Sequence, residues 1–329
     1  MLAPLMKPLA FNTLRILADG DFHSGAALAR ASGMSRASVW NVVEEIEAAG
    51  IDVFRVRGRG YRLAQPLSML DAARVTHLLG DASPFSVEIV DDIDSTNTAL
   101  LERARANAPH ASVVAAEAQH AGRGRMNRPW HAPVGGALAF SLLWRFAHGA
   151  SALAGLSLAV GLAVVRVLES AGAVEAGLKW PNDVLWRERK IAGILIEMQG
   201  EALGPSAVVI GIGVNVRLSA DTTARIDQPA ADLETACECA VDRNALLAAV
   251  LTELNTVLLE FERAGFHPLR EEWQRRHVHQ ALGVRVTLPG GMHESGVARG
   301  VDENGALLLE TAQGLRKFHS GDVSLRAAS

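Results

Sequence analysis

The stretch KWPNDVLWRERKIAGILIEM, residues 179–198, predicts two β-strands joined by a short turn at Arg187–Glu188–Arg189. No segment with helical periodicity separates the two strands, so they should pair as antiparallel neighbours. Similar apolar stretches predict the central strands 85–93, 112–117, 137–146, 178–186, 190–198 and 207–216. Helices are predicted at 95–107, 151–171 and 244–263. The expected fold class is therefore α+β, with a mixed, antiparallel-rich sheet that is not doubly wound.

Residues 1–66 predict a winged helix-turn-helix domain. A first helix ends at Gly20, the second runs from the capping residue Ser24 to Gly33, and the third runs from Ser35 to Gly50. A hairpin follows. This segment carries eight Lys/Arg against six Asp/Glu, a net charge of +2, although the whole chain carries −4. The asymmetry favours a polyanion such as DNA as a partner, and a helical module that binds protein is the alternative.

The DNA contacts are expected at the start of the third helix and on the hairpin. The helix start should meet base edges, and the hairpin arginines should meet phosphates or the adjacent minor groove. The residues concerned are Ser35, Arg36, Ser38, Arg55, Arg57 and Arg59. Trp40 lies near this surface, where it is either a core plug or a steric block to the groove.

The C-terminal segment, 282–329, predicts short strands with tight turns, at PGG (289–291) and at Asn304–Gly305. A small β-barrel is the expected fold. The domains are thus expected at 1–66, 67–281 and 282–329, with AQPLS (64–68) as the first linker.

Composition indicates an ordinary globular protein of the cytoplasm. Of 329 residues, 49% are hydrophobic and 21% are charged. The two cysteines, Cys237 and Cys239, are too few for a structural zinc set, and a reducing compartment fits them best. The first residues lack the features of a signal peptide. Residues 146–165 contain no charged side chain, but this stretch fits a buried helix better than a membrane span.

Four groups of residues in the central segment indicate chemistry. Asp94 to Asn97 (DSTN) place several hydroxyl and amide groups at a helix N-terminus, where capping needs only one. The loop AGRGRMNRPW (121–130) concentrates arginines that suit phosphate or carboxylate. Lys190, which leads into an apolar strand, faces the Asn182–Asp183 pair across the hairpin. Gly211 and Gly213 within a strand indicate a close approach by a ligand or by backbone.

Two common nucleotide motifs are excluded. Asn127 occupies the position of the third glycine in a dinucleotide fingerprint, and Pro129 and Pro133 prevent the helix that should follow. The chain also lacks the GK[ST] of a Walker loop. A mobile basic loop that closes over an anion is the remaining interpretation.

The combined motifs resemble those of bacterial bifunctional biotin–protein ligases and biotin operon repressors. STN, Q-x-x-GRGR-x-x-x-x-W, KWPND, RK-x-AGIL and G-x-G-x-N occur here in the order and spacing of that family. DFHSG, GMSR and GYRL match its winged helix, and the likeness covers residues 9–326. The resemblance implies a class II tRNA-synthetase-like catalytic domain between a winged helix and an SH3-like barrel.

The resemblance also implies a reaction and its site. Biotin and ATP, with Mg²⁺, would form biotinyl-5′-adenylate, and biotin would pass to a lysine of the biotin carboxyl carrier protein. The adenylate would promote homodimerisation and act as corepressor of biotin-synthesis genes. Asp183 would orient the incoming amine, and no metal ligand of the protein is expected. The implied biotin site is Ser95, Thr96, Asn97, Gln119, Arg123, Gly124, Arg125 and Lys190, and the implied adenylate site is Trp130, Asn182, Gly211, Gly213 and Asn215.

The sequence departs from the family at two positions. His120 replaces a common glutamine, and Ala230 stands where a tryptophan often caps the adenine. Three alternatives stay open at this point: a lipoate- or octanoyl-type acyl ligase, a repressor with an inactive ligase domain, and a ligase whose helix-turn-helix no longer regulates. The polar STN group and the GRGR loop favour biotin over an apolar acyl chain.

Overall fold

The computed structural model describes residues 6–200, 206–288, 291–319 and 324–327. The N-terminal segment folds as three helices and a hairpin, as predicted. Ser24 and Ser35 cap the second and third helices through their side chains. The apolar face of the third helix, which includes Val39, Val43 and Ile46, is buried. The elements are α1 (Pro8–Leu17), α2 (Gly25–Ala31), α3 (Arg36–Ala48), β1 (Val53–Val56) and β2 (Gly60–Leu63).

The central segment forms a sheet of seven described strands. Further helices lie between and after these strands. In chain order the segment contains α4 (Ala72–Leu79), β3 (Ser86–Ile93), α5 (Thr96–Arg105), β4 (Ser112–Gln119), β5 (Ala137–Phe146), α6 (Leu156–Ser170), β6 (Ala176–Lys179), β7 (Asp183–Trp186), β8 (Arg189–Gly200), β9 (Ser206–Asn215), α7 (Ala220–Arg225), α8 (Leu233–Cys237), α9 (Arg243–Ala264) and α10 (Arg270–Arg275).

The strand order is β3-β4-β5-β9-β8-β7-β6. Among the described pairs, β3 and β4 run parallel and the other neighbours run antiparallel. The expectation of a mixed, antiparallel-rich sheet is confirmed.

Two predictions about the strands were wrong in detail. Residues 178–186 are not one strand, because the chain reverses at Trp180–Asn182 and pairs Lys179 with Asp183 across a β6–β7 hairpin. The turn after β7 consists of Arg187 and Glu188 alone, both with left-handed φ (46° and 62°), and Arg189 already belongs to β8. The second turn brings the side chains of Asp183 and Lys190 together across the β7–β8 hairpin.

The two faces of the sheet are covered unequally. One face packs on α6 and α9 over the main hydrophobic core, to which Ala192, Ile194 and Ile210 contribute. The other face carries α5, with a small cluster that includes Leu100, Leu143 and Val209. Because side chains alternate along a strand, every second residue of β8 and β9 points to this thinly covered face. That face holds the candidate site.

The apolar stretch 146–165 is not a single helix. It contains the end of β5, a 3₁₀ turn at Ala150–Leu153 and the buried first two-thirds of α6, and the predicted helix start at 151 was five residues early. Among the described residues, one helix, Arg243–Ala264, is long and apolar enough to span a membrane, and 56% of its apolar window is buried in the protein. It packs against α4 and α6.

The C-terminal segment forms an antiparallel sheet of five described strands in the order β13-β12-β11-β10-β14. The Asn304–Gly305 turn is confirmed, although it is longer than two residues: the Asp302 carboxylate accepts the N–H groups of Asn304 and Ala306, both at 3.0 Å. Pro289 and Gly290 of the predicted PGG turn lie outside the described residues. The strands are β10 (Gly283–Thr287), β11 (His293–Val301), β12 (Leu307–Thr311), β13 (Gly314–Phe318) and β14 (Ser324–Ala327).

The N-terminal domain packs directly on the central sheet. Leu67, within the predicted linker, and Met69, just after it, join its apolar core together with Ala118 and Val134. Arg15 of α1 forms an ion pair with Asp91 of β3. The segment 64–68 is therefore packed against both domains and is not an extended linker.

Candidate active site

A cavity that is open to solvent lies on the thinly covered face of the sheet, with about 440 Å³ of empty space when its open mouth is included. It is bounded by the N-terminus of α5, the loop after β4 and the middle of β8 and β9. Of the predicted site residues, the cavity is lined by Ser95, Thr96, Asn97, Gln119, Arg123, Gly124, Trp130, Asn182, Lys190, Gly211 and Gly213. Arg125 and Asp183 contact lining residues, and Asn215 lies behind the wall.

One part of the wall consists of neutral hydrogen-bonding groups. Since β3 and β4 are parallel and end together, Ile93 is level with Gln119, and the DSTN segment follows beside it. The Gln119 side-chain oxygen accepts the Thr96 N–H at 2.9 Å and the Thr96 hydroxyl at 3.2 Å. Ser95 caps α5. These groups are largely buried, so their orientation is fixed before a ligand binds.

Sequence analysis missed Ser141, which supports this group. Its hydroxyl lies 2.7 Å from the Thr96 hydroxyl and donates to Asn97 Oδ1. Ser141 interrupts the apolar strand ALAFSLLWRF, and a fully buried serine in such a strand needs polar partners. That interruption was the signal in the sequence.

Sequence analysis also missed Glu197. Its carboxylate accepts a hydrogen bond from Asn97 Nδ2 at 2.8 Å and pairs with Arg123 Nη2, 2.9 Å from both oxygens. Arg123 Nη1 also donates to the Thr98 hydroxyl at 2.7 Å. Glu197 stands in the apolar run IAGILIEM, two and four residues beyond Leu195 and Gly193 of the cavity wall, and therefore on the same face.

Lys190 and Asp183 meet across the β7–β8 hairpin, as the sequence suggested. Lys190 Nζ lies 2.6 Å from Asp183 Oδ1, although the contact lacks the alignment of a hydrogen bond, and both side chains are about one-sixth exposed. The ammonium also lies 5.7 Å from the Trp130 ring centre. The Lys190 backbone pairs with Pro229 and Ala231, so the segment around Ala230 borders this side of the site.

The basic loop closes the cavity from the side. Its 3₁₀ turn, Arg125–Asn127, has left-handed φ at Met126 and Asn127, and Arg125 Nη1 donates to Asn182 Oδ1 at 3.3 Å. His120 is directed away from the lining residues and pairs with Asp92. Burial raises the pKa of Asp92, although the His120 charge opposes this shift.

The strand glycines do mark a close approach, as predicted, but in this structure protein side chains make it. A Cβ at Gly213 would lie 2.3 Å from the Trp130 indole, and one at Gly211 would lie 2.1 Å from Asn97 Oδ1. Asn215 is buried and donates from Nδ2 to the carbonyl oxygens of Lys190 (3.2 Å) and Ala231 (3.0 Å). It therefore fixes the backbone that carries Lys190.

The predicted DNA-contacting side chains do not all face solvent freely. Ser35 and Arg36 are exposed at the start of α3, and Ser38 Oγ lies 2.8 Å from Ser35 Oγ in the helix cap. Arg57 is exposed. Arg59 lies 4.0 Å above the Phe22 ring.

Arg55 and Trp40 form a contact that the sequence did not predict. Arg55 pairs with Glu44 (2.6 Å) and Glu47 of α3 and lies 4.2 Å above the Trp40 ring. These glutamates neutralise Arg55 and anchor the hairpin to α3. Trp40 is 51% exposed and is therefore not a core plug.

The N-terminal, central and C-terminal parts of the chain each match the model of a different protein family. Residues 10–62 match the HTH domain, residues 90–215 match the biotin/lipoate A/B protein ligase family, and residues 282–326 match the biotin protein ligase C-terminal domain. Among solved structures, biotin protein ligase from Aquifex aeolicus in complex with biotin and ATP superposes with a TM-score of 0.65 at 28% identity, covering 74% of this chain and 99% of that one. Fold and cavity together thus define a protein ligase of the biotin type.

Relatives that align over nearly their whole length identify the family within this class of ligases. The bifunctional ligase/repressor BirA of Escherichia coli is 36% identical, and the alignment covers 96% of both chains. That of Bacillus subtilis is 33% identical over 94% of this chain and 95% of the relative. The biotin–[acetyl-CoA-carboxylase] ligase of Mycobacterium tuberculosis is 35% identical over 80% of this chain and 97% of the relative. The chain belongs to the bifunctional ligase/repressor family of bacterial biotin protein ligases. It is an enzyme of the ligase class, biotin and ATP fit as its substrates, and its DNA-binding domain fits a repressor role.

Proposed function

We propose that this enzyme attaches biotin to a lysine of the biotin carboxyl carrier protein of acetyl-CoA carboxylase in two steps. First, a carboxylate oxygen of biotin attacks the α-phosphorus of ATP, and the bond to pyrophosphate breaks. Then the carrier ε-amine attacks the acyl carbon of biotinyl-5′-adenylate, AMP leaves with the bonding pair, and the amine loses a proton. The observation that carries this proposal is one cavity that combines the neutral groups of Thr96 and Gln119 with the cations of Arg123 and Lys190.

The neutral groups suit the ureido ring of biotin. A ureido group offers two N–H donors and one carbonyl acceptor, and hydroxyl and amide side chains can meet both kinds. We assign this role to Ser95, Thr96, Asn97 and Gln119. Both ends of the Asn97 amide already have protein partners, so Asn97 contributes mainly by holding the wall in place.

The cations suit the two reacting anions. Biotin's carboxylate and the α-phosphate repel each other, so their approach requires positive charge, which Arg123, Arg125 and Lys190 supply. Gly124 lets the loop backbone come close to the ligand. Mg²⁺ bound to the ATP phosphates would add further charge neutralisation. Among the described residues no group of three or more His, Cys, Asp or Glu side chains that could hold a metal ion occurs.

We assign the adenylate to the side of the cavity next to Trp130. Asn182 borders this part. Gly213 leaves the strand surface bare for a planar group once Trp130 shifts, and Gly211, which lies against Asn97, adjoins the same surface. Asn215 supports this region through the backbone of Lys190 and Ala231. Asp183, next to Lys190, is placed to orient the carrier amine in the second step.

The finer architecture and regulation are part of the same proposal. We infer domains at 1–66, 67–281 and 282–329, with a class II tRNA-synthetase-like centre and an SH3-like C-terminal barrel. The protein would act in the cytoplasm, without a membrane partner. Adenylate binding would promote a homodimer that binds operator DNA through α3 and the wing and represses biotin-synthesis genes.

Mass spectrometry of an isolated carrier domain tests the ligase function. The carrier is incubated with protein, ATP and Mg²⁺, together with biotin, lipoate or octanoate. We expect a mass increase on one lysine when the acid supplied is biotin, and no increase with lipoate or octanoate. A product with lipoate or octanoate only would replace the biotin assignment with the acyl-ligase alternative.

A further inference from the structure

We propose that Glu197 is a positioning residue for adenylate formation, which holds Arg123 and Asn97 in the orientation that the reaction requires. The inference rests on the proposed role of Arg123 toward the two reacting anions. Glu197 does not line the cavity, but it contacts two residues that do. It would therefore act through these neighbours and not on the substrate itself.

Glu197 lies on the face of β8 that α5 covers. Residues 193, 195, 197 and 199 of β8 share the face that α5 covers, and Gln199 donates to the Leu101 carbonyl of α5 at 2.8 Å. A carboxylate at 197 therefore stands between α5 and the basic loop. Its side chain is 28% exposed, as is that of Arg123.

The Glu197 carboxylate can accept hydrogen bonds from two neighbours at once. An ionised carboxylate only accepts hydrogen bonds, and here it faces donors from two sides, Asn97 Nδ2 and Arg123 Nη2. Because Asn97 Nδ2 is fixed to Glu197, its oxygen is left to accept the Ser141 hydroxyl. Glu197, at 2.8 Å, and the Leu195 carbonyl, at 3.4 Å, both accept from Asn97 Nδ2 and together determine which way the amide is turned.

Thr98 and Glu197 hold the Arg123 guanidinium in place. A guanidinium has five N–H groups, and the contacts with Thr98 and the two Glu197 oxygens use at most three of them. The pairing therefore fixes the plane of the guanidinium and still leaves donors for a substrate anion. Fixed donors cost little reorganisation when charge develops, which is the condition for strong electrostatic catalysis.

Glu197→Gln is the decisive variant, with Glu169→Gln as matched control. The glutamine keeps the shape but turns an N–H₂ toward one of the two donors, so one partner loses its orientation. Glu169 forms an ion pair of similar geometry with Arg276 (2.9–3.3 Å) at similar exposure, between α6 and α10. We expect biotin- and ATP-dependent pyrophosphate release to fall roughly tenfold or more for Glu197→Gln, the scale of a charge-assisted hydrogen bond, and to stay near wild type for Glu169→Gln.

A double-mutant cycle separates positioning from general damage. If Glu197 acts through Arg123, the loss caused by Glu197→Gln largely disappears in an Arg123→Gln background. Losses that multiply, or a Glu197→Gln rate within twofold of the Glu169→Gln rate, overturn the inference. Glu197→Asp keeps the charge but is one methylene shorter, so full activity in this variant also overturns the bridging role. A wild-type protein that forms no adenylate would instead contradict the proposed function.

Discussion

Replacing Lys190 by alanine should nearly abolish adenylate formation while leaving the fold intact. The ammonium lies 2.6 Å from Asp183 on the cavity wall, and at an effective dielectric constant of 20 such a pair attracts by about 6 kcal/mol before solvation costs. The charge is therefore held in place before substrates arrive. Removing one preorganised group of this kind typically raises the barrier by roughly 2.7–4 kcal/mol, about a 100- to 1000-fold loss in rate.

The fold should survive this change. Lys190 and Asp183 are only about one-sixth exposed, so the loss of stability should exceed the roughly 0–1 kcal/mol of an exposed ion pair and approach the ~1–3 kcal/mol of one unpaired buried group, which a chain of this size can lose without unfolding. The assay is pyrophosphate release with biotin and ATP, accompanied by thermal unfolding. Lys317→Ala removes a lysine paired with Asp302 at 3.0 Å in the C-terminal sheet and serves as control. Adenylate formation by Lys190→Ala within severalfold of the control would refute the role of Lys190.

Further predictions address the loop, assembly, DNA binding and pH. Arg125→Gly removes the contact with Asn182 and should release activated biotin onto lysines of bystander proteins, so labelling of the carrier alone in a mixed-protein assay would contradict the closing role. Sedimentation at micromolar protein should show a dimer with biotin and ATP, and an unchanged mass would count against adenylate-promoted pairing. Deleting residues 1–66 should remove operator binding; biotin transfer should persist at lower stability, because the deletion exposes Ala118 and Val134. In the full chain, Arg57→Ala should lower the log–log salt slope of DNA binding by about 0.9, and Arg55→Ala by less because Glu44 and Glu47 already neutralise it. Burial lowers the pKa of His277 from its ordinary 6.5 to about 4. Between these pH values the unfolded chain therefore binds a proton that the folded protein does not. The free energy of unfolding should therefore fall by up to about 3 kcal/mol as pH drops from 6.5 to 4, and His277→Gln should flatten this slope in urea titrations.

Periodicity predicted the sheet well because its strands are bounded by clear turn signals. It failed where a tight turn lies inside an apolar stretch, as at Trp180–Asn182, since the flanking pattern looks the same with or without a reversal. The short helices α7, α8 and α10 were also missed. With five or six residues each, they are too short to show a helical period.

The site was predictable to the extent that its motifs are local. Ser95, Gln119 and Lys190 were found because each stands in a recognisable stretch, and the structure places all three at one cavity. Glu197 and Ser141 were not found, because their importance depends on partners about 44 to 100 residues away. The pairing of Arg55 with α3 was missed for the same reason, since alternation along a hairpin shows the face of a side chain but not its partner.

Two of the cations that we assign to the substrates are already paired within the protein. Arg123 meets Glu197 and Lys190 meets Asp183, and these contacts offset the mutual repulsion of two positive charges on the wall of one cavity. Neither pairing uses all the donors, because a guanidinium has five N–H groups and an ammonium has three. The protein can therefore keep its internal partners while it binds the carboxylate and the phosphate. Within the basic loop, Arg123 is neutralised in this way at the site where its charge is used.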